Sequence, residues 1–321
     1  MARATVMKTD LFGEFEGWFD VQSLGMQAHG HARTQILLAL LMPLLVALPA
    51  CGKKKSTAVD MATSLKERLA HKAQEAVRAK LGGAPEKAAD RDDPAPALSA
   101  EAFVFQPSFA TSAGKEFQAG KVVIAKVPSA PGGLLGLSCI HIFGPDGGLP
   151  SQIASDALPK FLKKTTLIAA DGGRTEIGAP LPVPGAHPFV SDGRSMPDPS
   201  NDLSVFRAPV ELAAHALALA TGEPAVGDRV WLLARLIGGA PPDVYLHPAH
   251  VRLANEKILG YEFENNRLNL TATSGAPVVN AQGKIVALDI GGGLSGGKLN
   301  VFGNPIGSVR KKIDATLLAV K

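Results

Sequence analysis

Cysteine and aromatic side chains are scarce in this chain. Two cysteines, Cys51 and Cys139, are too few for a disulfide framework, and aromatic residues make up only 5% of the 321 positions. No basic stripe with interleaved aromatic residues occurs, which argues against a nucleic-acid-binding protein. Glycine and proline are by contrast abundant, with 34 and 24 residues, and this composition predicts many turns, few long helices and a β-rich fold.

An apolar run at residues 36–48 predicts a signal peptide rather than a membrane span. The run follows a weakly basic stretch, and it is too short to cross a bilayer comfortably. Residues 1–25 are acidic, which is unusual for the start of a signal peptide, so Met26 is an alternative start of the chain. We therefore predict an N-terminal extension and signal peptide over residues 1–50.

The apolar run ends in Leu48-Pro49-Ala50-Cys51, which resembles the lipobox of bacterial lipoproteins. The resemblance implies cleavage before Cys51, attachment of a diacylglyceryl group to this cysteine, and anchoring of the protein in the bacterial cell envelope. Gly52 follows instead of an aspartate that would favour the inner membrane, so the expected place is the outer membrane, facing the periplasm. A plain signal peptide with an incidental cysteine is the alternative.

Residues 51–100 predict a spacer between the lipid and a folded domain. Residues 66–80 are strong helix formers with few large apolar side chains, which predicts an exposed helix. Residues 82–100 are rich in alanine, proline and aspartate, a composition typical of a flexible tether. The folded domain is therefore expected over residues 101–321.

Short β-prone segments alternate with turn signals through most of this domain. The pattern predicts an all-β barrel or sandwich. Two segments depart from it: residues 211–220 suit a helix or a strand edge, and residues 306–320 carry a helical apolar face. The predicted strands cover residues 102–105, 121–125, 134–143, 203–206, 229–236, 250–252, 267–271, 277–279, 285–290 and 299–302.

A serine, Ser274, lies in a turn of small residues directly before an apolar strand. Gly275 allows a sharp turn, and Pro277 fixes φ where the strand begins. The sequence Asn280-Ala281-Gln282-Gly283 then predicts a hairpin turn. A serine is a weak nucleophile unless a base lies within hydrogen-bond reach and a third group orients that base.

Two upstream residues are candidates for the base and the orienting carboxylate. His141 ends an apolar run and precedes a glycine-rich turn, whereas Asp202 opens a strand after a polar loop. Asp192 and Asp198 are alternatives to Asp202. Asp289 is a further alternative carboxylate near the site, although a residue of the pocket wall is the favoured interpretation for it.

The chain order of His141, Asp202 and Ser274 resembles the chymotrypsin/trypsin-like serine proteases, specifically the bacterial trypsin-like peptidase domains. Thr273-Ser274-Gly275-Ala276-Pro277-Val278 is similar to the family's Ser-Gly-Gly/Ser-Pro-Val motif, and Asp202-Leu203-Ser204-Val205-Phe206 to its Asp-[Ile/Leu]-Ala-Leu-Leu motif. The resemblance covers about residues 101–321. It implies an all-β fold of two six-stranded antiparallel β-barrels with a C-terminal helix, and no cofactor or metal.

The resemblance also implies hydrolysis of a polypeptide substrate through an acyl-enzyme. Asp202 would orient His141, His141 would take the proton of Ser274, and the backbone N–H groups of Ala272 and Ser274 would form the oxyanion hole. The expected specificity pocket, which suits an uncharged side chain, is lined by Leu268, Gly291 and Gly292.

Two departures from the family pattern define an alternative function. Cys139 stands unusually close before His141, and Ala272 stands where the family has a glycine. A Cβ at residue 272 restricts the backbone that must aim an oxyanion donor, and one lost donor costs about 10²–10³ in turnover. A catalytically weak or inactive protease-fold lipoprotein that acts as a binding or scaffold protein is therefore the alternative.

Overall fold

The structure is a computed structural model that describes residues 90–189 and 198–320. The predicted signal peptide, the lipidation site Cys51, the spacer helix and the alternative carboxylate Asp192 lie outside the described residues. Within the two described ranges, no helix has the length and apolar character needed to span a bilayer.

The described residues form fifteen strands and two α-helices, joined by turns and short 3-10 segments. The strands of the N-terminal half are β1 Phe105–Thr111, β2 Glu116–Phe117, β3 Val123–Lys126, β4 Leu134–Ser138, β5 Leu162–Ala169, β6 Arg174–Ile177, β7 Pro180–Leu181, β8 Ser204–Arg207 and β9 Ala216–Ala218. Those of the C-terminal half are β10 Arg229–Leu233, β11 Leu246–Ala254, β12 Leu259–Phe263, β13 Pro277–Val279, β14 Ile285–Ser295 and β15 Lys298–Pro305. The helices are α1 Leu158–Phe161 and α2 Ile306–Ala319, and the 3-10 segments are Ala100–Phe103, Pro131–Gly133, His141–Phe143, Pro145–Gly147, Pro199–Asn201 and Val210–His215.

The six C-terminal strands close into a barrel in the order β10-β11-β12-β15-β14-β13. Its core is built from fully buried β-branched and aliphatic side chains such as Val230, Val251, Val278 and Val301, which suit the crowded interior of a small barrel. The all-β class and a six-stranded barrel, both predicted from the sequence, are confirmed.

The predicted C-terminal helix is also confirmed, as α2. Ile306, Val309, Ile313 and Leu317 are buried and recur at the spacing of one helical face. Pro305 precedes the helix in an extended conformation, which suits a residue that cannot donate a backbone hydrogen bond.

The nine N-terminal strands form two sheets around a shared core, in the orders β2-β1-β5-β6 and β7-β8-β4-β3-β9. The bridge between Phe105 and Val122 joins the sheets, and Phe109, Ile124 and Phe206 pack in the core between them. The sequence predicted a second closed six-stranded barrel here. The strands form two open sheets instead, whose edge strands include β2 and β7 of two residues each, and one of the sheets contains the parallel pair of β3 and β9.

The end of the predicted linker contacts the C-terminal barrel. Arg91 N donates to Gly227 O at 2.9 Å, and Arg229 forms an ion pair with Asp92 at 2.9 Å. Asp92 is almost fully exposed, so this ion pair adds little stability, and the backbone contact is the firmer one.

Candidate active site

The histidine of the predicted site lies just beyond the end of β4. The sequence predicted a strand as far as Phe143, but β4 ends at Ser138, and residues 141–143 form a 3-10 turn instead. This turn brings the ring of His141 back toward β8, so that its Nδ1 lies 2.7 Å from Oδ2 of Asp202. Both side chains are buried, with Asp202 fully so and His141 7% exposed.

Asp202 accepts four hydrogen bonds, which is the full capacity of a buried carboxylate. Oδ1 accepts from the backbone N–H of Ile140 at 2.8 Å and of His141 at 3.1 Å. Oδ2 accepts from the backbone N–H of Phe189 at 2.9 Å in addition to the His141 ring. These donors replace the water that a buried carboxylate loses, so the ionised form can be held next to the imidazole.

Asp198, the alternative carboxylate within the described residues, has a different and local role. Its side chain accepts hydrogen bonds from the backbone N and the Oγ of Ser200, and it pairs with Lys257 at 3.2 Å. These partners lower the pKa of Asp198 against the opposing effect of burial. Of the two aspartates, Asp202 is therefore the one that the structure places against His141.

The environment of His141 favours its protonated form. Burial acts to lower its pKa, but the hydrogen bond and the negative charge of Asp202 outweigh burial, and Asp146 and Asp289 add to the same effect. The pKa of His141 is therefore raised above its ordinary value. These carboxylates stabilise the positive charge that the imidazole acquires when it removes a proton.

Ser274 lies in a tight turn that only a glycine at the next position permits. Gly275 has φ +87°, and a Cβ there would lie 2.4 Å from both Lys121 O and Ser138 Oγ. The carbonyl of Ser274 accepts a hydrogen bond from Lys121 N at 2.7 Å, which ties the turn to the N-terminal half. The Ser274 hydroxyl donates to the carbonyl of Ile290 at 3.0 Å.

The serine turn and the histidine turn share neighbours, although Ser274 and His141 are not hydrogen-bonded to each other in the described part of the chain. A Cβ at Gly120 would lie 2.5 Å from Ser274 O and 2.9 Å from Cγ2 of Ile142. Gly275 N and Cys139 Sγ both donate to the carbonyl of Asp289, at 2.7 Å and 3.2 Å. Gly120 thus lies between Ser274 and Ile142, and the carbonyl of Asp289 joins Cys139 to Gly275.

Ala272 is the one non-glycine residue with a positive φ, +62°, among the residues that the structure describes. In this left-handed conformation a Cβ costs about 1–2 kcal/mol, so the turn is strained two residues before Ser274. The backbone N–H groups of Ala272 and Ser274 make no hydrogen bond to any other described residue. Among the described residues these two N–H groups thus have no acceptor, as the donors of an oxyanion hole would before substrate binds, and their role as such donors stays a prediction.

A buried polar network lies behind the serine turn, and of its members only Asp289 is expected from the sequence. Asp289 is fully buried in β14, where Tyr261 Oη donates to its Oδ1 and Thr273 Oγ1 lies 2.7 Å from its Oδ2. Burial raises the pKa of Asp289 to about 6, against the opposing effects of Tyr261, Thr273 and His141. Tyr261 had no sequence signal, because a tyrosine in an apolar strand is indistinguishable from ordinary core.

Cys139 is an inert neighbour of the site rather than a second nucleophile. Burial, together with the charges of Asp202 and Asp289, raises the pKa of its thiol well above the ordinary value. Its Sγ and the ligand-type atoms of His141 and Asp202 lie within 4.8 Å of one another. The His141–Asp202 hydrogen bond already occupies that space, so we assign this cluster to the histidine–carboxylate pair and not to a metal ion.

The structure places the predicted pocket residues on two separate segments. Gly291 and Gly292 directly follow Ile290, whose carbonyl accepts from Ser274, and a Cβ at Gly291 would meet open space. Leu268 is 8% exposed, and its backbone packs against Gly239. The two glycines therefore follow a residue that contacts the serine, and a specificity pocket formed by them and Leu268 stays a prediction.

Solved structures that align with this chain include serine proteases, each with low sequence identity to it. The active form of the Rv3671c protease from M. tuberculosis aligns with a TM-score of 0.41 and 16% identity, over 68% of this chain and 82% of that protein. The serine endoprotease from Yersinia pestis gives 0.43 and 13%, over 70% and 68%. The HtrA-type protease AlgW with a tripeptide gives 0.43 and 13%, over 68% and 60%. No family model and no curated protein matches the sequence, so a function has to follow from the chain's own side chains.

Proposed function

We propose that this chain is a serine endopeptidase whose catalytic triad is His141, Asp202 and Ser274. The observation that carries the proposal is the buried hydrogen bond of 2.7 Å between His141 Nδ1 and Asp202 Oδ2, in a carboxylate that three backbone N–H groups also hold. The bond fixes the tautomer with the proton on Nδ1, which leaves Nε2 as the nitrogen that can accept a proton. A hydroxyl next to such a nitrogen becomes a nucleophile.

The reaction begins when the Ser274 hydroxyl leaves the carbonyl of Ile290 and turns to His141. A hydrogen bond of this kind contributes about 1 kcal/mol net, so the exchange is a small part of any catalytic barrier. Ser274 Oγ then attacks the peptide carbonyl carbon while its proton passes to Nε2 of His141. The N–H groups of Ala272 and Ser274 donate to the oxyanion that forms.

His141 then gives the same proton to the leaving amine, and the acyl-enzyme remains on Ser274. A water molecule enters, loses a proton to His141 Nε2 and attacks the acyl carbon. The proton returns to Ser274 Oγ when the acid product leaves. Asp202 keeps its negative charge throughout and stabilises the imidazolium of His141 in both halves of the reaction.

We further propose that the substrate is a polypeptide with an uncharged side chain next to the scissile bond. Position 268 carries leucine rather than a carboxylate that would select lysine or arginine, and Gly291 leaves the side of β14 open. Peptides that differ only at this position, with leucine, lysine or aspartate, test the preference. Faster cleavage of the lysine peptide than of the leucine peptide would contradict it.

We propose a location in the bacterial cell envelope, with a lipid on Cys51 and the domain facing the periplasm. The support is the sequence Leu48-Pro49-Ala50-Cys51 at the end of an apolar run. Incorporation of a labelled fatty acid into the full chain, and its loss in Cys51→Ala, tests the anchor. A Cys51→Ala protein that still takes up the label would contradict it.

A fluorophosphonate probe tests the proposed nucleophile directly, because it reacts only with an activated serine. We expect labelling of the unmodified chain, loss of labelling in Ser274→Ala, and labelling in Cys139→Ala. The cysteine variant is the matched control, since Cys139 adjoins the same turns without taking part in the reaction. Labelling that persists in Ser274→Ala would exclude Ser274 as the nucleophile.

The alternative function is a binding or scaffold protein with the same fold. Two observations favour it: the Ser274 hydroxyl is bonded to Ile290 O rather than to His141, and Ala272 carries a Cβ in a left-handed conformation. If this alternative holds, the folded protein remains unlabelled at every pH between 6 and 9. Circular dichroism on the same sample separates this outcome from misfolding.

A further inference from the structure

We propose that Asp289 is a positioning residue for the Ser274 turn, and that it acts as a neutral acid in a chain of hydrogen bonds from Tyr261 to the carbonyl of Leu270. The proposal rests on the proposed function, since Ser274 and the oxyanion donor at Ala272 belong to the turn that is positioned. Asp289 itself does not touch a substrate or a reacting atom.

The main chain of Asp289 holds the two residues that follow Ser274 in the turn. Its carbonyl accepts from Gly275 N at 2.7 Å, and its N–H donates to Ala276 O at 2.8 Å. Its carboxyl group contacts the residue that precedes Ser274, since Oδ2 lies 2.7 Å from Oγ1 of Thr273. One buried residue therefore holds the residues that both precede and follow the nucleophile.

The number of protons in this network assigns the protonation state of Asp289. Thr273 Oγ1 lies 2.7 Å from Asp289 Oδ2 and 2.8 Å from Leu270 O, yet a hydroxyl has a single proton. Two oxygen atoms at such distances need a proton between them, so an ionised Asp289 leaves one of the two contacts repulsive. Tyr261 cannot supply the missing proton, because its own goes to Oδ1.

A proton on Oδ2 of Asp289 satisfies every contact. Tyr261 then donates to Oδ1, Asp289 Oδ2 donates to Thr273 Oγ1, and Thr273 donates to Leu270 O. The carbonyl of Leu270 also accepts from Thr273 N at 3.2 Å, which closes the Leu270–Thr273 turn around the strained Ala272. The proton on Asp289 thus helps to hold the oxyanion donor in its left-handed conformation.

The surroundings of Asp289 favour the neutral acid at mildly acidic pH. Burial raises its pKa to about 6. The titratable groups that face it are Tyr261 from β12, Cys139 from the end of β4 and His141 from the following turn; Tyr261 and Cys139 are themselves held neutral by raised pKa values. Above this pH Asp289 is ionised and accepts a hydrogen bond from the Thr273 hydroxyl. Thr273 then no longer donates to the carbonyl of Leu270.

Asp289→Asn tests the proposal, because an asparagine reproduces the neutral acid: its amide N–H donates to Thr273 and its oxygen accepts from Tyr261. We expect the fluorophosphonate labelling rates of Asp289→Asn and of the unmodified chain to agree within about twofold at pH 5.5. Above pH 7 the ratio should rise in favour of the variant by about tenfold, as expected for one hydrogen bond, and stay there to pH 8.5. A ratio that is constant with pH would overturn the proposal.

The high-pH end of this profile separates positioning from an effect on His141. Ionised Asp289 also raises the pKa of His141, and this effect fades once His141 is fully neutral. A ratio that returns to one at pH 8.5 would therefore show that Asp289 acts only through its charge, and would overturn the proposal. In a Thr273→Val background, which lacks the hydroxyl, Asp289→Asn should no longer change the rate, whereas Thr273→Ser should restore the effect.

Thermal unfolding provides a readout that does not need an active enzyme. A carboxyl whose pKa is raised in the folded state stabilises the protein below its unfolded pKa, and this stability is lost as the pH rises toward about 6. The difference in melting temperature between Asp289→Asn and the unmodified chain should therefore increase in favour of the variant between pH 4.5 and pH 7. No gain would overturn the proton assignment, whereas a gain without any labelling would refute only the proposed peptidase.

Discussion

Asp202 and His141 are joined twice, once through their side chains and once through the main chain. Oδ2 accepts from the ring Nδ1 at 2.7 Å, and Oδ1 accepts from the backbone N–H of the same histidine at 3.1 Å. The carboxylate therefore fixes both the position of the backbone turn and the orientation of the ring that it carries. The pair is therefore preorganised for the roles of base and orienting carboxylate that we propose for it.

Asp202→Asn should abolish most of the activity while it preserves the fold. An amide in place of the carboxylate stabilises the wrong imidazole tautomer and removes the charge that supports the imidazolium. We expect the labelling rate to fall by about 10³–10⁴, as expected when the orienting carboxylate of a serine-protease triad is replaced by an amide. Asp198→Asn is the matched control and should label within about twofold of the unmodified chain, since one exposed ion pair contributes little.

Equal losses in Asp202→Asn and Asp198→Asn would contradict the assignment of Asp202. Near-ultraviolet circular dichroism and thermal unfolding on both variants establish that any loss of labelling does not come from unfolding. Replacement of Asp202 by alanine is a poorer test, because it leaves several buried N–H donors without an acceptor, at about 1–3 kcal/mol each.

The labelling rate should rise with pH through a pKa above the ordinary value for histidine, about 6.5. His141 is a base only when neutral, and the hydrogen bond and charge of Asp202 raise its pKa against the opposing effect of burial. The rate is therefore expected to fall as the pH drops through this raised pKa. A pH series of labelling rates on the unmodified chain measures the midpoint, and a midpoint at or below about 6.5 would contradict the prediction.

The candidate site could be proposed from the sequence because each of its residues has a local signal and because their order along the chain resembles that of the serine proteases. Ser274 is followed by the glycine that its turn requires, and His141 and Asp202 lie at the ends of apolar runs where strands end or begin. These features depend on residue types within a few positions of each other. The barrel, too, follows from many short apolar segments separated by turns.

The Asp289 network could not be predicted, because its members meet only when the barrel closes. Tyr261 on β12 pairs with Val301 on β15, and Asp289 on β14 pairs with Gly303 on the same strand. Register across three strands decides this neighbourhood, and one sequence carries no direct signal for register. A single buried aspartate in an apolar strand is the only local sign, and it fits a pocket wall equally well.

The strand predictions failed where tertiary contacts override local preference. Residues 267–271 form no strand, because Asn269 N donates to Gly238 O and the Asn269 side chain accepts from Thr271 N at 3.0 Å. Strand β5 was missed, because two adjacent lysines interrupt its apolar alternation. Strand β1 extends through Pro107, a residue that argues against a strand when only the sequence is considered.

Ala272→Gly should stabilise the protein and increase its labelling rate. Ala272 is exposed and has φ +62°, so its Cβ adds strain without adding contacts. Relief of that strain is expected to raise the free energy of unfolding by ~1 kcal/mol. Ala272→Val is the opposing control, because a β-branched side chain suits this conformation least, and it should unfold at a lower temperature and label more slowly. A lower melting temperature for Ala272→Gly would show that the turn is not strained at this position.

Gly275→Ala should disrupt the serine turn far more than its backbone conformation alone would require. Gly148 has nearly the same φ, +85° against +87°, but a Cβ at Gly148 meets no atom within 4 Å, whereas one at Gly275 would lie 2.4 Å from Lys121 O and Ser138 Oγ. Gly148→Ala therefore measures the conformational cost, about 1 kcal/mol, and the excess in Gly275→Ala, expected at about 1–3 kcal/mol, measures the close contact between the two halves at the nucleophile.

Denaturant unfolding of both glycine variants, with fluorophosphonate labelling of each, checks this comparison. Gly148→Ala should label normally, because residue 148 is exposed and a Cβ there meets no atom within 4 Å. Gly275→Ala should lose both stability and labelling, because Lys121 N and Asp289 O hold this turn only while the backbones remain in contact. Equal free energies of unfolding for the two variants would mean that the Ser274 turn does not pack against β3 and β4 as tightly as the distances indicate.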